Sequence, residues 1–132
     1  MVLMNKAPLK TEHVTFWIEN GIIHTTYVPG LIVTFDIAKQ IVEERIEYTS
    51  GLTYPGLANV NQAKKADYDA MKYWATADAY RCLSSLSVYS NNRLTNIFVN
   101  FWLKVDKPPK PSKFFTNIDD AYLFLQPYKF LN

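Results

Sequence analysis

Hydrophobic and polar positions follow a strand-like pattern at the start of the chain and then change to a helical one. His13 to Glu19 and Ile22 to Val28 are rich in β-branched and aromatic residues and flank Asn20 and Gly21. Asn followed by Gly is the strongest short hairpin signal, because both central residues of a type I′ turn need positive φ. The chain is therefore predicted to open with an antiparallel pair, ended by Pro29 and Gly30. From Phe35 to Tyr48 the spacing is helical, with Ile37, Ala38, Ile41, Val42 and Ile46 on one half. Lys39, Gln40, Glu43, Glu44 and Glu47 fill the other half. Thr34 or Asp36 suits the start of this helix, and Gly51 stands where a C-terminal cap glycine belongs.

Leu52 to Val60 reads as the next strand. Pro55 and Gly56 lie inside it, and since proline cannot donate to a sheet ladder, a bulge or an unpaired edge is predicted there. Lys64 to Ala75 is predicted helical, with Asp67 or Asp69 near its start, and Thr76 is placed to cap a short turn running to Cys82. Leu86 to Ser90 forms a short strand. A helix over residues 92–105 follows, with Leu94, Ile97, Phe98, Phe101, Trp102 and Val105 on one face and Val99 and Leu103 on the opposite side. Ser112 to Phe115 is the last strand. Thr116 and Asp119 then stand in a capping relation ahead of Ile118, Ala121, Tyr122 and Leu125.

The order ββαβαβαβα predicts an α/β fold: a single-domain mixed β-sheet with an N-terminal antiparallel hairpin and later strands parallel, joined by right-handed crossovers. Residues 1–11 are expected to be an N-terminal tail and residues 12–132 the one domain. The length of 132 residues and a hydrophobic content of 48% suit a single independent core. A net charge of +2 gives no whole-molecule reason to expect nucleic acid or an anionic membrane as partner. Cys82 is the only cysteine, which excludes an internal disulfide and any cysteine cluster for metal and fits a reducing compartment. No secretory pattern opens the chain and no run of about 18 apolar residues occurs, so a cytoplasmic location without a membrane span is expected.

The candidate chemistry is sparse. His13 and His24 sit at about the ends of the hairpin strands and lack a matching third ligand, so no metal site is defined. Arg81 adjoins Cys82, but sequence neighbours on a helix point in different directions, which favours an inert, half-buried thiol. Glu43, Glu44 and Glu47 belong to a solvated helix face. The four glycines form no phosphate-cradling loop, and no cofactor is expected. One polar pattern has geometry behind it. Pro108, Pro109 and Pro111 favour a polyproline II path, on which Lys107, Lys110 and Lys113 would line one edge about 9 Å apart. That row suits either contact with an acidic or phosphorylated partner or a stiff, solvated connection.

Tyr54, Pro55, Gly56, Leu57, Ala58, Asn59 and Val60, the segment Asn100, Phe101, Trp102, Leu103, and the Lys107 to Phe115 tract leading into Asp119, Asp120 and Ala121 resemble short bacterial members of the SpoIIAA-like, or STAS/SEC14-like, group of small α/β domains. The resemblance spans roughly residues 12–127 and rests on structural motifs. It implies the SpoIIAA-like fold. In the anti-sigma-factor antagonists of that group, a phosphorylatable Ser or Thr follows the third strand. The matching loop here reads Asn59, Val60, Asn61, Gln62, Ala63, Lys64, with no hydroxyl or acid, so the phosphorylation switch is not expected.

Two function classes follow. The first is a non-enzymatic regulatory or interaction module, binding another protein or a second copy of itself as a homodimer. Phe98, Val99, Trp102 and Leu103 with Lys107, Lys110 and Lys113 would form its contact surface. The second is a carrier of a small apolar, lipid-like ligand, whose mark would be an enclosed pocket of roughly 300 Å³ or more beneath the helix of residues 92–105. An enzyme would need converging polar groups, and the sequence nominates no such set.

Overall fold

A computed structural model describes residues 5–92 and 107–129. The Asn20–Gly21 turn forms as predicted, both residues having positive φ (53° and 75°). It joins β2 (Val14–Glu19) to β3 (Ile22–Tyr27) in a regular antiparallel ladder. Ahead of this hairpin lies a strand where a tail was expected: β1 (Lys6–Lys10) pairs antiparallel with β2. Every residue of β1 is exposed, so no buried face marks it in the pattern. Tethers from distant positions hold it instead. The Tyr48 hydroxyl donates to Ala7 O (2.6 Å), Lys6 Nζ donates to Tyr48 O (2.6 Å), and Asn20 N donates to Asn5 Oδ1 (2.9 Å).

A short strand, β4 (Ile32–Val33), leads into α1 (Phe35–Tyr48), whose first turn is capped by Thr34 Oγ1 accepting from Ile37 N (3.3 Å). At the far end Ser50 (φ 55°) takes the left-handed position expected of a cap glycine, and Gly51, one residue on, donates from N to Ile46 O. The buried face of α1 is turned from the predicted one. Ala38, Ile41 and Val42 are buried, but Arg45 and Tyr48 join them, while Ile37 and Ile46 are only half-buried.

β5 (Tyr54–Asn59) is an inner strand, paired in parallel with β3 and with β7 (Leu83–Tyr89). The predicted disturbance at Pro55 is a break in the β5–β7 register between Tyr54 and Pro55; the alternative of an unpaired edge is not what forms. Gly56 sits at a close approach: a Cβ there would lie 2.9 Å from Leu83 Cδ2, so a larger residue would need the Leu83 side chain to move. The helix predicted over 64–75 is shorter. Lys65–Ala66 forms β6, which pairs with β4, and α2 (Tyr68–Trp74) starts behind Asp67, whose Oδ1 accepts from Ala70 N (2.8 Å). Thr76 does cap the next turn, its Oγ1 accepting from Ala79 N (3.3 Å).

β8 (Ser112–Phe115) is where the sequence places it, parallel to β7. α3 (Ile118–Leu125) is capped by Asn117 rather than Thr116, with Asn117 Oδ1 accepting from Asp119 N (2.8 Å) and Asp120 N (3.2 Å). A 3₁₀ turn, Gln126–Tyr128, follows.

The six-stranded sheet runs β1-β2-β3-β5-β7-β8, antiparallel through the first three strands and parallel beyond, a mixed α/β domain. Alternation sends Ile22 and Ile23 to opposite faces. Ile23 joins Phe16, Ile41, Val42 and Met71 under α1 and α2, while Ile22 joins Leu57, Ala121 and Leu125 under α3. Both outer strands carry the features that blunt a free edge: β1 holds Pro8 between two lysines, and the four-residue β8 follows Pro111 and contains Lys113.

Candidate functional site

Between the sheet and the α1–α2 layer lies a cavity of about 90 Å³. Alternate residues of β3 and β7, among them Ile23, Tyr27 and Val88, form its floor. Ala58 of β5 leaves the space that a larger side chain would fill. Ile41, Val42 and Arg45 of α1 and Tyr80 of the turn after α2 close it from above. The wall is apolar except for Arg45 and a few hydroxyls.

Arg45 is the residue that periodicity hid. It is only 9% exposed. Its Nη2 donates to Ala79 O (3.0 Å) and Arg81 O (2.6 Å), latching the turn of residues 75–82 onto α1. Its Nε has no hydrogen-bond partner, and among the described residues no carboxylate pairs with it. Burial pulls its pKa down to about 10, so the guanidinium still carries its charge at neutral pH. The same burial pushes Tyr27 and Tyr80 up to about 12, against the pull of Arg45, so both phenols stay neutral. The Tyr80 hydroxyl shares a 2.6 Å hydrogen bond with Ser112 Oγ.

Outside the cavity, an exposed charge network braces the same turn. Arg81 pairs with Glu43 of α1 and, through Nε, with Asp78 Oδ1 (3.1 Å). The Tyr73 hydroxyl donates to Asp78 Oδ2 (2.6 Å), the main reason that the Asp78 carboxyl is held below the usual range. These contacts order the backbone of the turn against α1.

At the carboxyl ends of the parallel strands, Asn59 and Asn61 work as loop pins. Asn59 Oδ1 accepts from Asn61 N (3.0 Å), and Asn61 Oδ1 accepts from Ser90 Oγ (3.2 Å) and Asn91 N (3.2 Å). Gln62 acts through its backbone, its carbonyl accepting from Gly30 N (2.9 Å). Ser90 thus brings a hydroxyl to a loop that has none of its own. It is wholly buried, so the surface there presents no hydroxyl for modification at this serine.

Residues 16–129 match the model of a family described as a domain of unknown function, DUF7793. The chain belongs to this family. No curated protein matches the DUF7793 chain. Among solved structures it is similar to the crystal structure of an uncharacterized protein from the DUF3478 family with a SpoIIAA-like fold, from Shewanella loihica PV-4. The identity is 12%, the match covers 95% of this chain and 98% of that one, and the TM-score is 0.53. At that identity the likeness is one of fold, and it agrees with the mixed sheet described above.

Within this DUF7793 domain, Phe98, Val99, Trp102 and Leu103 fall in residues 93–106, outside the described residues, as does most of the predicted aromatic helix. Lys107 and Lys110 are exposed, and the chain bends at residues 109–110. Lys113 lies in β8, with Nζ 5.7 Å from the Phe115 ring centre. The three lysines therefore do not continue along one polyproline edge. The two histidines also stay apart. Register sets His24 opposite Trp17, while His13 O accepts from Val28 N, four positions further along β3's chain. His24 is buried, stacked on Trp17 (4.8 Å between ring centres) and tilted against Tyr122 (5.8 Å). Burial lowers its pKa, against the pull of Glu19. The Cys82 thiol is half-buried and donates to Gly51 O (3.4 Å). Among the described residues no helix is long and apolar enough to cross a membrane.

Proposed function

We propose that this DUF7793 domain is a non-enzymatic regulatory or protein-interaction module that works without a phosphorylation switch in its Asn59–Gln62 loop. The observation that carries the reading is a group of exposed apolar side chains where α1 and α2 begin. β4 and β6 run in parallel, Ile32 beside Lys65 and Val33 beside Ala66, and Asp67 N continues the ladder onto Val33 O. Two residues on, Phe35 and Tyr68 head the two helices at the same level. Ile32 and Phe35 are each 41% exposed and Tyr68 is 61% exposed. Large apolar groups gathered at one end of a domain suit a protein partner or a second copy of the chain. Three of the shifted groups support a non-enzymatic role through structural contacts: Asp78 braces a turn, Arg45 Nη2 latches it, and His24 packs between Trp17 and Tyr122.

A lipid-like cargo is the weaker reading. The pocket expected for it beneath the helix of residues 92–105 falls almost wholly in residues 93–106, outside the described residues, and the cavity beneath α1, about 90 Å³, is well short of the roughly 300 Å³ at which small-molecule pockets begin.

The test is site-specific photocrosslinking in cells, with the reactive group at residue 35, at residue 68 or at the exposed control position Glu47. A discrete protein adduct, or a crosslinked dimer, from 35 and 68 but not from 47 is expected. Equal diffuse labelling at all three positions would overturn the assignment of this surface.

A further inference from the structure

We infer that the Ile32, Phe35 and Tyr68 surface is self-complementary and joins two copies of this chain about a two-fold axis, the lysine end of one copy on the aspartate end of the other. The inference rests on the reading of that surface as a docking site and names its occupant. Two short segments build it alike. Residues 31–36 read Leu, Ile, Val, Thr, Phe, Asp and residues 64–69 read Lys, Lys, Ala, Asp, Tyr, Asp. In each, a two-residue strand runs through a capping residue, Thr34 or Asp67, into a helix that opens on an exposed aromatic ring followed by an aspartate. Because β4 and β6 pair in parallel with Ile32 beside Lys65, the two segments lie in step. Charge is thereby sorted along them: Lys64 and Lys65 come before the rings, Asp36 and Asp69 after.

These charges are what the fold leaves over. All are exposed, and none is in an ion pair among the described residues. Neighbouring charges are engaged within the chain: Lys39 pairs with Asp78 (3.7 Å), Lys72 Nζ lies over the Tyr68 ring (5.4 Å), and Asp67 caps α2. An acidic partner or an anionic membrane would meet Asp36 and Asp69, and a basic partner would meet Lys64 and Lys65. A second copy turned end for end meets opposite charge at both ends, while the rings of the two copies cover one another at the centre. Such a contact closes at two. With Ile32, Phe35 and Tyr68 as its apolar part it is small, and a dissociation constant of about 10 to 100 µM is expected.

The experiment is sedimentation velocity of the full chain from about 1 µM to about 1 mM, which brackets that range. A monomer–dimer equilibrium is expected, weakened at least about tenfold by Phe35→Ser or Tyr68→Ser. Lys64→Glu with Lys65→Glu in one chain, and Asp36→Lys with Asp69→Lys in another, should each be monomeric alone, because like charges then meet at both ends. An equimolar mixture of the two should dimerise, each reversed end facing its match. If the aspartate variant fails to fold, the aromatic variants and the loss of the dimer in the lysine variant still decide. A wild-type chain that stays monomeric, assembly that continues past two, a dimer indifferent to the aromatic variants, or folded charge variants that do not restore each other would each overturn the two-fold pairing. A monomer in solution with a discrete crosslink from residues 35 and 68 to a different protein would overturn it while the docking surface stood. Equal labelling at all three crosslinking positions would remove the surface as well.

Discussion

The two faces of the sheet are filled by different means. Under α1 and α2 the core is deep and mixes aliphatic with aromatic side chains, Val14, Phe16, Val33 and Val42 being almost wholly buried beside Tyr27, Tyr54 and Tyr80, yet this face retains a cavity and a buried cation. Under α3 the chain comes close through small groups: Ala121 is fully buried, and Ser87 Oγ reaches Ala121 O at 2.8 Å. Beyond α3 the sheet is covered by rings, with Trp17, His24 and Tyr122 packed against one another. Ala121 and Ser87 let α3 approach the sheet closely between Ile22, Leu57 and Leu125, whereas the broader layer under α1 and α2 retains the cavity. Among the described residues, the cavity and the buried cation Arg45 lie together on the α1–α2 face.

The sharpest probe of this contrast is Phe16→Ala, which removes a fully buried ring from the α1–α2 face and should cost about 3 to 5 kcal/mol. Denaturant unfolding measures it, and a loss below about 1 kcal/mol would mean that this face collapses to fill space, contrary to a core with persistent slack. Next is Arg45→Met. Loss of the charged donor to two carbonyls should destabilise by about 1.5 to 3 kcal/mol and raise hydrogen exchange across residues 75–82. Unchanged exchange there would show that the Arg81 network holds the turn alone. On the opposite face, Asn117→Ala removes the cap of α3 and should cost about 1 kcal/mol, with faster exchange confined to α3. Exchange that quickens equally under α1 would dissolve the distinction between the faces.

The smallest effect concerns pH. Burial holds the folded-state pKa of His24 below its ordinary value of 6.5. The unfolded chain therefore binds the proton more readily, and the contribution of neutral His24 is fully present above about pH 6.5 and declines as pH falls toward the folded-state value. His24→Gln should flatten that part of a pH series of melting temperatures. A slope of the same size in the variant would assign the effect to another group.

What the sequence made legible was local. Asn20–Gly21 needs only its own backbone angles, α1 shows in its periodicity, and Ser112–Phe115 shows as a short strand after prolines. Other features depend on distant partners. β1 has no buried face to reveal it and is tied down by Tyr48, more than 40 positions away. β4 and β6 are two residues each, too short for any period to appear. Asn117 displaced Thr116 as a cap because one side-chain oxygen there reaches two amides. Arg45 falls in neither half of α1 as its periodicity divides it, and the carbonyls of residues 79 and 81 explain why it turns inward. The candidate cavity was for that reason invisible, while the absence of a hydroxyl in the Asn59–Gln62 loop could be read directly.

The prolines and lysines at the two outer strands have a consequence for how copies of this domain can meet. Among the described residues, both margins of the sheet disfavour a further strand, and with it the sideways backbone pairing that turns folded domains into fibres. Contacts between copies of this domain are thereby biased toward side chains on the faces and ends of the sheet, where surface shape and not backbone pairing selects the partner.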